Sequence, residues 1–175
     1  MKKYELTENF ILLNNRKLYQ IKALKDFNNV KAGDFGGYIE MEANLSQQGN
    51  CWVLDDAKVV GDAMVYGNAI VSGNAEVYGN ARVLNDARVY GNALVYDNAF
   101  VFGGAKVYDN ARVFGSTKVF DNVRVFDNAL VFGYARVFGD AQVYDNSQVY
   151  DDAKVYYNAR VYGKTKVCYY NVKEE

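Results

Sequence analysis

Few side chains in this sequence could do chemistry, and those few are regularly spaced. Asp109, Asp127 and Asp145 recur every eighteen residues, beside an equally spaced run of Asn74, Asn92, Asn110, Asn128 and Asn146. If residues eighteen apart stack at about 4.8 Å, as neighbouring strands do, oxygens at that spacing could hold a calcium ion loosely. The competing role is structural, with the aspartates accepting hydrogen bonds from local backbone N–H groups and the asparagines forming an amide ladder. The structural role is the favoured one, so no metal or other cofactor is expected, and the three aspartates stand as the weak candidate. The chain has no histidine. An exposed aspartate or glutamate near its ordinary pKa of about 4 is a poor general base at neutral pH. No nucleophile–base pair, phosphate-binding loop or cysteine cluster is present, so no catalytic residue is expected.

These residues owe their spacing to a repeat. Every sixth residue from Val53 to Val167 is valine, twenty in succession, and two positions earlier stands a small residue, most often alanine. The variants at that position are Cys51, Thr117, Val123, Ser147 and Thr165. The unit reads small-x-Val-aromatic-[Gly/Asp]-[Asn/Asp]. A fixed short period means one structural unit stacked on copies of itself. Alternation along an extended strand puts the small residue and the valine on one face, with x and the aromatic on the other. Three such sides per coil give a triangular prism with Val and Ala inside, and the Gly-Asn or Asp-Asn pairs make the corners, where left-handed backbone angles are needed. The fold class expected is all-β: a single-stranded left-handed parallel β-helix of eighteen residues per coil and about seven coils, on the order of 30 Å tall. Each buried valine contributes roughly 1.5 to 3 kcal/mol before the entropy of ordering is subtracted. Cys51 falls on an inward position and is expected in the core, whereas Cys168 falls on an outward one.

Sorting the outward positions by eighteen gives three faces. The first carries Arg88, Lys106 and Arg124 beside Tyr90, Tyr108 and Phe126. The third carries Lys118 and Arg136 beside Phe120 and Phe138. The second is the least charged in mid-prism, with Leu94, Tyr96, Phe114, Leu130 and Phe132 nearly contiguous, a composition like that of an interface core. Trp52, Leu54, Val60, Met64 and Ile70 crowd the early coils, where the chain before them could fold back and cover them.

The repeat resembles the hexapeptide-repeat superfamily of left-handed β-helices, in which an aliphatic residue is followed four positions later by a small one, here Val53 with Ala57 and Val59 with Ala63. The lead-in Gly33-Asp34-Phe35-Gly36-Gly37-Tyr38-Ile39-Glu40, followed by Glu42-Ala43-Asn44-Leu45-Ser46 and Gly49-Asn50-Cys51-Trp52-Val53, is similar to a narrower group of bacterial and phage-borne, acyltransferase-like proteins. That resemblance implies an acyl-CoA-dependent transferase and side-by-side trimers. The family's histidine base, and the three zinc-binding histidines of its carbonic-anhydrase branch, match no position here, and the loop that interrupts the coils of the familiar enzymes is missing.

The domain organisation expected is a small N-terminal β cap over 1–37, the β-helix over 38–170 and a tail over 171–175. In the cap, Tyr4-Glu5-Leu6, Phe10-Ile11-Leu12-Leu13 and Leu18-Tyr19-Gln20-Ile21 read as short strands joined around Asn14-Asn15. The first degenerate coil is expected to run through Ile39, Met41, Leu45 and Gln47. The formal net charge of -1 argues against nucleic acid as a partner, and no run is long enough for a membrane span. Two cysteines placed too far apart to pair, with no export signal, point to the cytoplasm. The function expected is a non-catalytic binding or structural protein, phage- or prophage-encoded by its resemblance, that presents its ladders to a protein partner or to itself. The alternatives are the transferase and a phage protein that sequesters a ligand or inhibits a host system. The homo-oligomer expected is a trimer through the second face, or a dimer through the C-terminal end at Tyr169 and Tyr170. The inward register makes Val113→Asp a sharp test. It places an unpaired carboxylate in the core, and the expected loss of several kcal/mol is read as a large drop in melting temperature.

Overall fold

A computed structural model describes residues 2–169 and the backbone of 171–174. The chain winds as a parallel β-solenoid of about seven coils with three short strands per coil, each strand little more than the x-Val pair of the repeat. Residues eighteen apart are in register, Arg88 with Lys106 and Val89 with Val107, so the three faces become three parallel sheets. Seven strands form the first sheet, ten the second and seven the third, counted among the described residues.

The inward columns are sealed. Every valine from Val53 to Val155 on the six-residue period is 0 or 1% exposed, as are the alanines of the small position. The backbone closes around them by a fixed rule. In most hexapeptides the N–H groups of x, the aromatic and the second corner residue donate to the next coil, as Arg88 to Ala105 O (2.9 Å), Tyr90 to Val107 O (3.0 Å) and Asn92 to Asp109 O (2.7 Å). The first corner residue is left-handed throughout, for example Gly91 at φ 73°, Asp109 at 57° and Asp127 at 56°, which is why Gly, Asp and Asn monopolise it. Two tyrosines break that rule, Tyr157 at φ 58° and Tyr169 at φ 56°.

Strand β1 (Tyr4–Leu13) and strand β2 (Arg16–Ala23) form an antiparallel hairpin turning at Asn14-Asn15. Strand β3 (Phe35–Ile39) pairs antiparallel with β2 and parallel with Lys58–Val59, so it spans residue 37, closing the hairpin and laying the first rung of the second sheet. The segments Tyr4-Glu5-Leu6 and Phe10-Ile11-Leu12-Leu13 are one strand with an irregularity between Leu6 and Phe10. Ile39 and Leu45 fall below Val59 and Val65. Met41 instead precedes a turn of 3-10 helix over Glu42–Asn44 and is exposed. At the other end Asn171–Glu174, expected as part of a tail, pairs parallel with Lys154–Tyr157. Its partner offset is seventeen residues, Val155 with Val172, rather than eighteen. One residue fewer in that coil hides the rung from a strict six-residue period.

The cap does more than cover. The first coil has no predecessor to supply N–H donors, and side chains take their place. Lys3 Nζ donates to Cys51 O (2.9 Å), Tyr4 Oη to Leu45 O (2.7 Å), and Asn44 Nδ2 to Gly61 O (2.7 Å) and Ala63 O (2.9 Å). Trp52, outward by register, is 0% exposed because Phe27 and Tyr4 meet it edge-on at 5.2 and 6.0 Å. Met64 lies outside this cover at 39% exposed. Gly36 and Gly37 let β3 press onto the coil: a Cβ on Gly37 would stand 2.6 Å from Ala57 O and 2.8 Å from Val53 Cγ1. Gly37→Ala is expected to cost about 1 to 3 kcal/mol by overpacking, measured by chemical denaturation, and a substitution without effect would mean that β3 is loosely seated.

Candidate functional site

With the interior given over to Val and Ala, anything that meets a ligand or partner sits on the outer columns, at the corners or beside the cap. On the second face the aromatic position forms a stacked ladder, with Tyr78 and Tyr96 4.7 Å apart, Tyr96 and Phe114 4.8 Å, Phe114 and Phe132 5.1 Å, and Phe132 and Tyr150 5.1 Å. Leu94 stands across the strand from Glu76 and Arg112, and Leu130 from Arg112 and Gln148. The five residues expected at an interface, Leu94, Tyr96, Phe114, Leu130 and Phe132, thus lie half-buried on one strip in which the rings are continuous and Arg112 separates the two leucines. Tyr169 is 72% exposed at the corner beyond this face, and Tyr170 lies outside the described residues.

On the first face Tyr90, Tyr108, Phe126 and Tyr144 repeat the arrangement at 4.8 to 5.0 Å with planes within 4° of parallel. Partial burial and then the nearby Asp109 carboxylate push the Tyr90 phenol above its ordinary pKa. Burial and then Tyr90 do the same for Tyr108. Both therefore remain protonated hydrogen-bond donors at neutral pH.

Asp109, Asp127 and Asp145 stack at the corner that follows the first face. Asp127 Oδ2 accepts from Asp145 N (3.2 Å) and Asp145 Oδ2 from Gly163 N (2.9 Å). The same bond recurs at the other corners, Asp97 to Gly115 N (3.1 Å) and Asp121 to Gly139 N (3.0 Å). Beside the three aspartates the asparagines form the amide ladder, Asn74 Nδ2 to Asn92 Oδ1 and Asn92 Nδ2 to Asn110 Oδ1, each 3.1 Å. At Asp127 and Asp145, as at Asp97 and Asp121, the carboxylate thus accepts the one N–H of the corner that has no backbone acceptor.

A groove of about 620 Å³, not read from the sequence, opens where the hairpin tip overhangs the second face between Leu13, Arg16, Asp62, Glu76 and Tyr78. Its charges are mostly engaged. Arg16 Nη1 meets Glu40 at 3.0 Å, Glu40 Oε2 also accepts from Gly61 N at 2.7 Å, and Lys58 Nζ meets Glu76 at 3.0 Å. The signal that could have revealed it is Glu40, a carboxylate at a position where the repeat carries none. Under the cap, Lys3 is 1% exposed with Nζ 3.2 Å from Cys51 Sγ. Burial lowers the pKa of the amine and raises that of the thiol. Cys168 is half-exposed.

Comparison with known proteins points to the same architecture. The repeat model described as the YdcK β-solenoid repeat matches residues 87–103 and 105–119. Those two segments are thus similar to a β-solenoid repeat, in keeping with the coils described above. A relative from Escherichia coli (strain K12), the "Uncharacterized acetyltransferase YdcK", is 43% identical over 63 residues, covering 31% of this chain and 19% of the relative. The chain therefore matches about a fifth of that protein's length.

The corner bond generates a graded test. Asp121→Ala removes both the acceptor for Gly139 N and a residue tolerant of a left-handed angle, and is expected to cost about 1 to 2 kcal/mol. Asp121→Asn keeps both and should lie within about 0.5 kcal/mol of wild type, each read from denaturation midpoints.

Proposed function

We propose that the protein is a non-catalytic β-helical binding protein that uses its second face to associate with a protein partner or with a second copy of itself. The observation that carries this reading is the strip of Leu94, Tyr96, Phe114, Leu130 and Phe132. Contiguous aromatic and aliphatic area of this kind is unusual on a free surface, and interface cores are likewise rich in aromatics and poor in charge. The parallel stacking fixes the rings at little further entropic cost, which favours association over a surface that must first be ordered.

A transferase acting on an acyl-CoA is the second reading, and what favours it is the printed name of the Escherichia coli relative. Against it stands the want of any histidine in the sequence, because the acceptor's proton would have to go to a carboxylate.

Light scattering on the wild type and on Phe114→Lys with Phe132→Lys tests the first reading. An oligomer is expected for the wild type, dissociated by the two lysines without loss of melting temperature. A monomeric wild type rejects self-association, and an oligomer indifferent to the lysines moves the contact elsewhere, with the corner at Tyr169 the next surface to probe. Titration with acetyl-CoA separates the second reading: saturable binding followed by acetyl transfer would establish it.

A further inference from the structure

We propose that the first face is a binding track for an acidic polysaccharide, a chain carrying one carboxylate or sulfate on each sugar. The starting observation is a ladder of like charge that the fold would not choose for stability. Arg88, Lys106 and Arg124 stand in register on consecutive coils, at the 4.8 and 5.0 Å rise of the rings beside them. Like charges directly opposite one another destabilise a strand pair. Nearer the cap the same column position on the second face is neutralised, Lys58 against Glu76 at 3.0 Å. Among the described residues no carboxylate lies within ion-pair distance of Arg88, Lys106 or Arg124. An anion from outside the chain would remove the repulsion.

The neighbouring ladder narrows the class of anion. Tyr90 and Tyr108 present protonated hydroxyls alongside the mid-prism cations, whereas the third face sets its in-register Lys118 and Arg136 beside Phe120 and Phe138 and reaches a hydroxyl only at Lys154 and Tyr156, and the second breaks its cations with Leu94 and Leu130. The first face is thus the one that pairs charge with hydroxyl donors in mid-prism. A depression bounded by Ile70, Ser72, Arg88, Tyr90 and Lys106 begins the track. Single-stranded nucleic acid needs aromatic faces on which bases stack. Here the rings are parallel within 4° and spend their faces on each other, leaving edges and hydroxyls outward. A pyranose unit is about as long as one coil is tall, so one acidic group per sugar meets one cation per coil while the sugar hydroxyls meet the phenols. Asp109 and Asp127 at the far edge of this face repel the polymer and keep it on the cation column.

This face is distinct from the proposed association surface, so the test is independent of that reading. The intact protein is run through native gels containing polygalacturonate, neutral dextran or neither, and its mobility is taken relative to the polymer-free gel. Retardation by polygalacturonate that weakens with added salt is expected, with none by dextran. Lys106→Glu with Arg124→Glu should abolish it, while Lys118→Glu with Arg136→Glu on the third face should retain it, both with cooperative melting. Lys106→Glu alone should not lower the melting temperature, because it places a carboxylate between two arginines. An unretarded wild type, equal loss from the third-face pair, or tighter retention by oligothymidylate than by polygalacturonate would overturn the proposal.

Discussion

Everything in this molecule depends on vertical register, the placing of each residue against the one eighteen positions away. Register sets the backbone bonds, because up to three N–H groups of a hexapeptide find their acceptors on the adjacent coil. It also decides which side chains are tolerable, since each must stack on its own column. Valine on valine fills the prism, with no valine of the column more than 5% exposed. Asparagine on asparagine works because an amide offers a donor on one side and an acceptor on the other, as between Asn74, Asn92 and Asn110. Aromatic on aromatic works because parallel rings offset at the strand rise lie in van der Waals contact. Charge on charge does not, and while the carboxylates of the Asp127 and Asp145 column are met by backbone N–H donors, the columns of Arg and Lys are not so relieved.

The ends of a solenoid escape that logic, and the cap shows what replaces it. Carbonyls that an earlier coil would have bonded are met by Lys3, Tyr4 and Asn44. Burying an amine is costly unless its donors are satisfied. Lys3 is given Cys51 O, Cys51 Sγ and the ring of Phe27, whose centroid lies 5.3 Å from Nζ. Trp52 Nε1 and Thr117 Oγ1 are the buried side-chain atoms left without a partner among the described residues. Thr117 holds a small inward position where the fold asks only for size and shape. Trp52 is where the hairpin and the loop after β2 contribute the rings of Tyr4 and Phe27 rather than acceptors.

How much of this was legible in the sequence follows the same division. The coil length, the inward columns, the three faces and the corner residues all repeat, so a period of six contains them. The cap does not repeat. The single long strand Tyr4–Leu13, the turn Glu42–Asn44 and the buried amine of Lys3 each rest on one pairwise fit that no periodic pattern encodes. The last rung, Asn171–Glu174, was hidden by a one-residue slip in an otherwise strict count. Of the candidate sites, the stacked strip on the second face and the Asp and Asn columns could be placed by arithmetic alone. The groove beneath the hairpin could not, since it exists only where two unlike elements meet.

Resemblance to acyltransferase-like proteins carries the fold more readily than the chemistry, because activity depends on a few groups added to a scaffold. Acid–base work at neutral pH by a carboxylate needs a raised pKa, and burial is the usual device for raising it. The buried polar side chains among the described residues are Lys3, Asn44, Thr117 and Ser147. None is a carboxylate, and the prism has no room to bury one without breaking a Val or Ala column. At the groove beneath the hairpin, the lining Glu76 is held by Lys58 and the adjacent Glu40 by Arg16, while Asp62 is in no ion pair among the described residues. A coil of this repeat desolvates a carboxylate only when something covers it from outside. Recognition requires no such cover, since the ladders are already ordered by the register that builds the core.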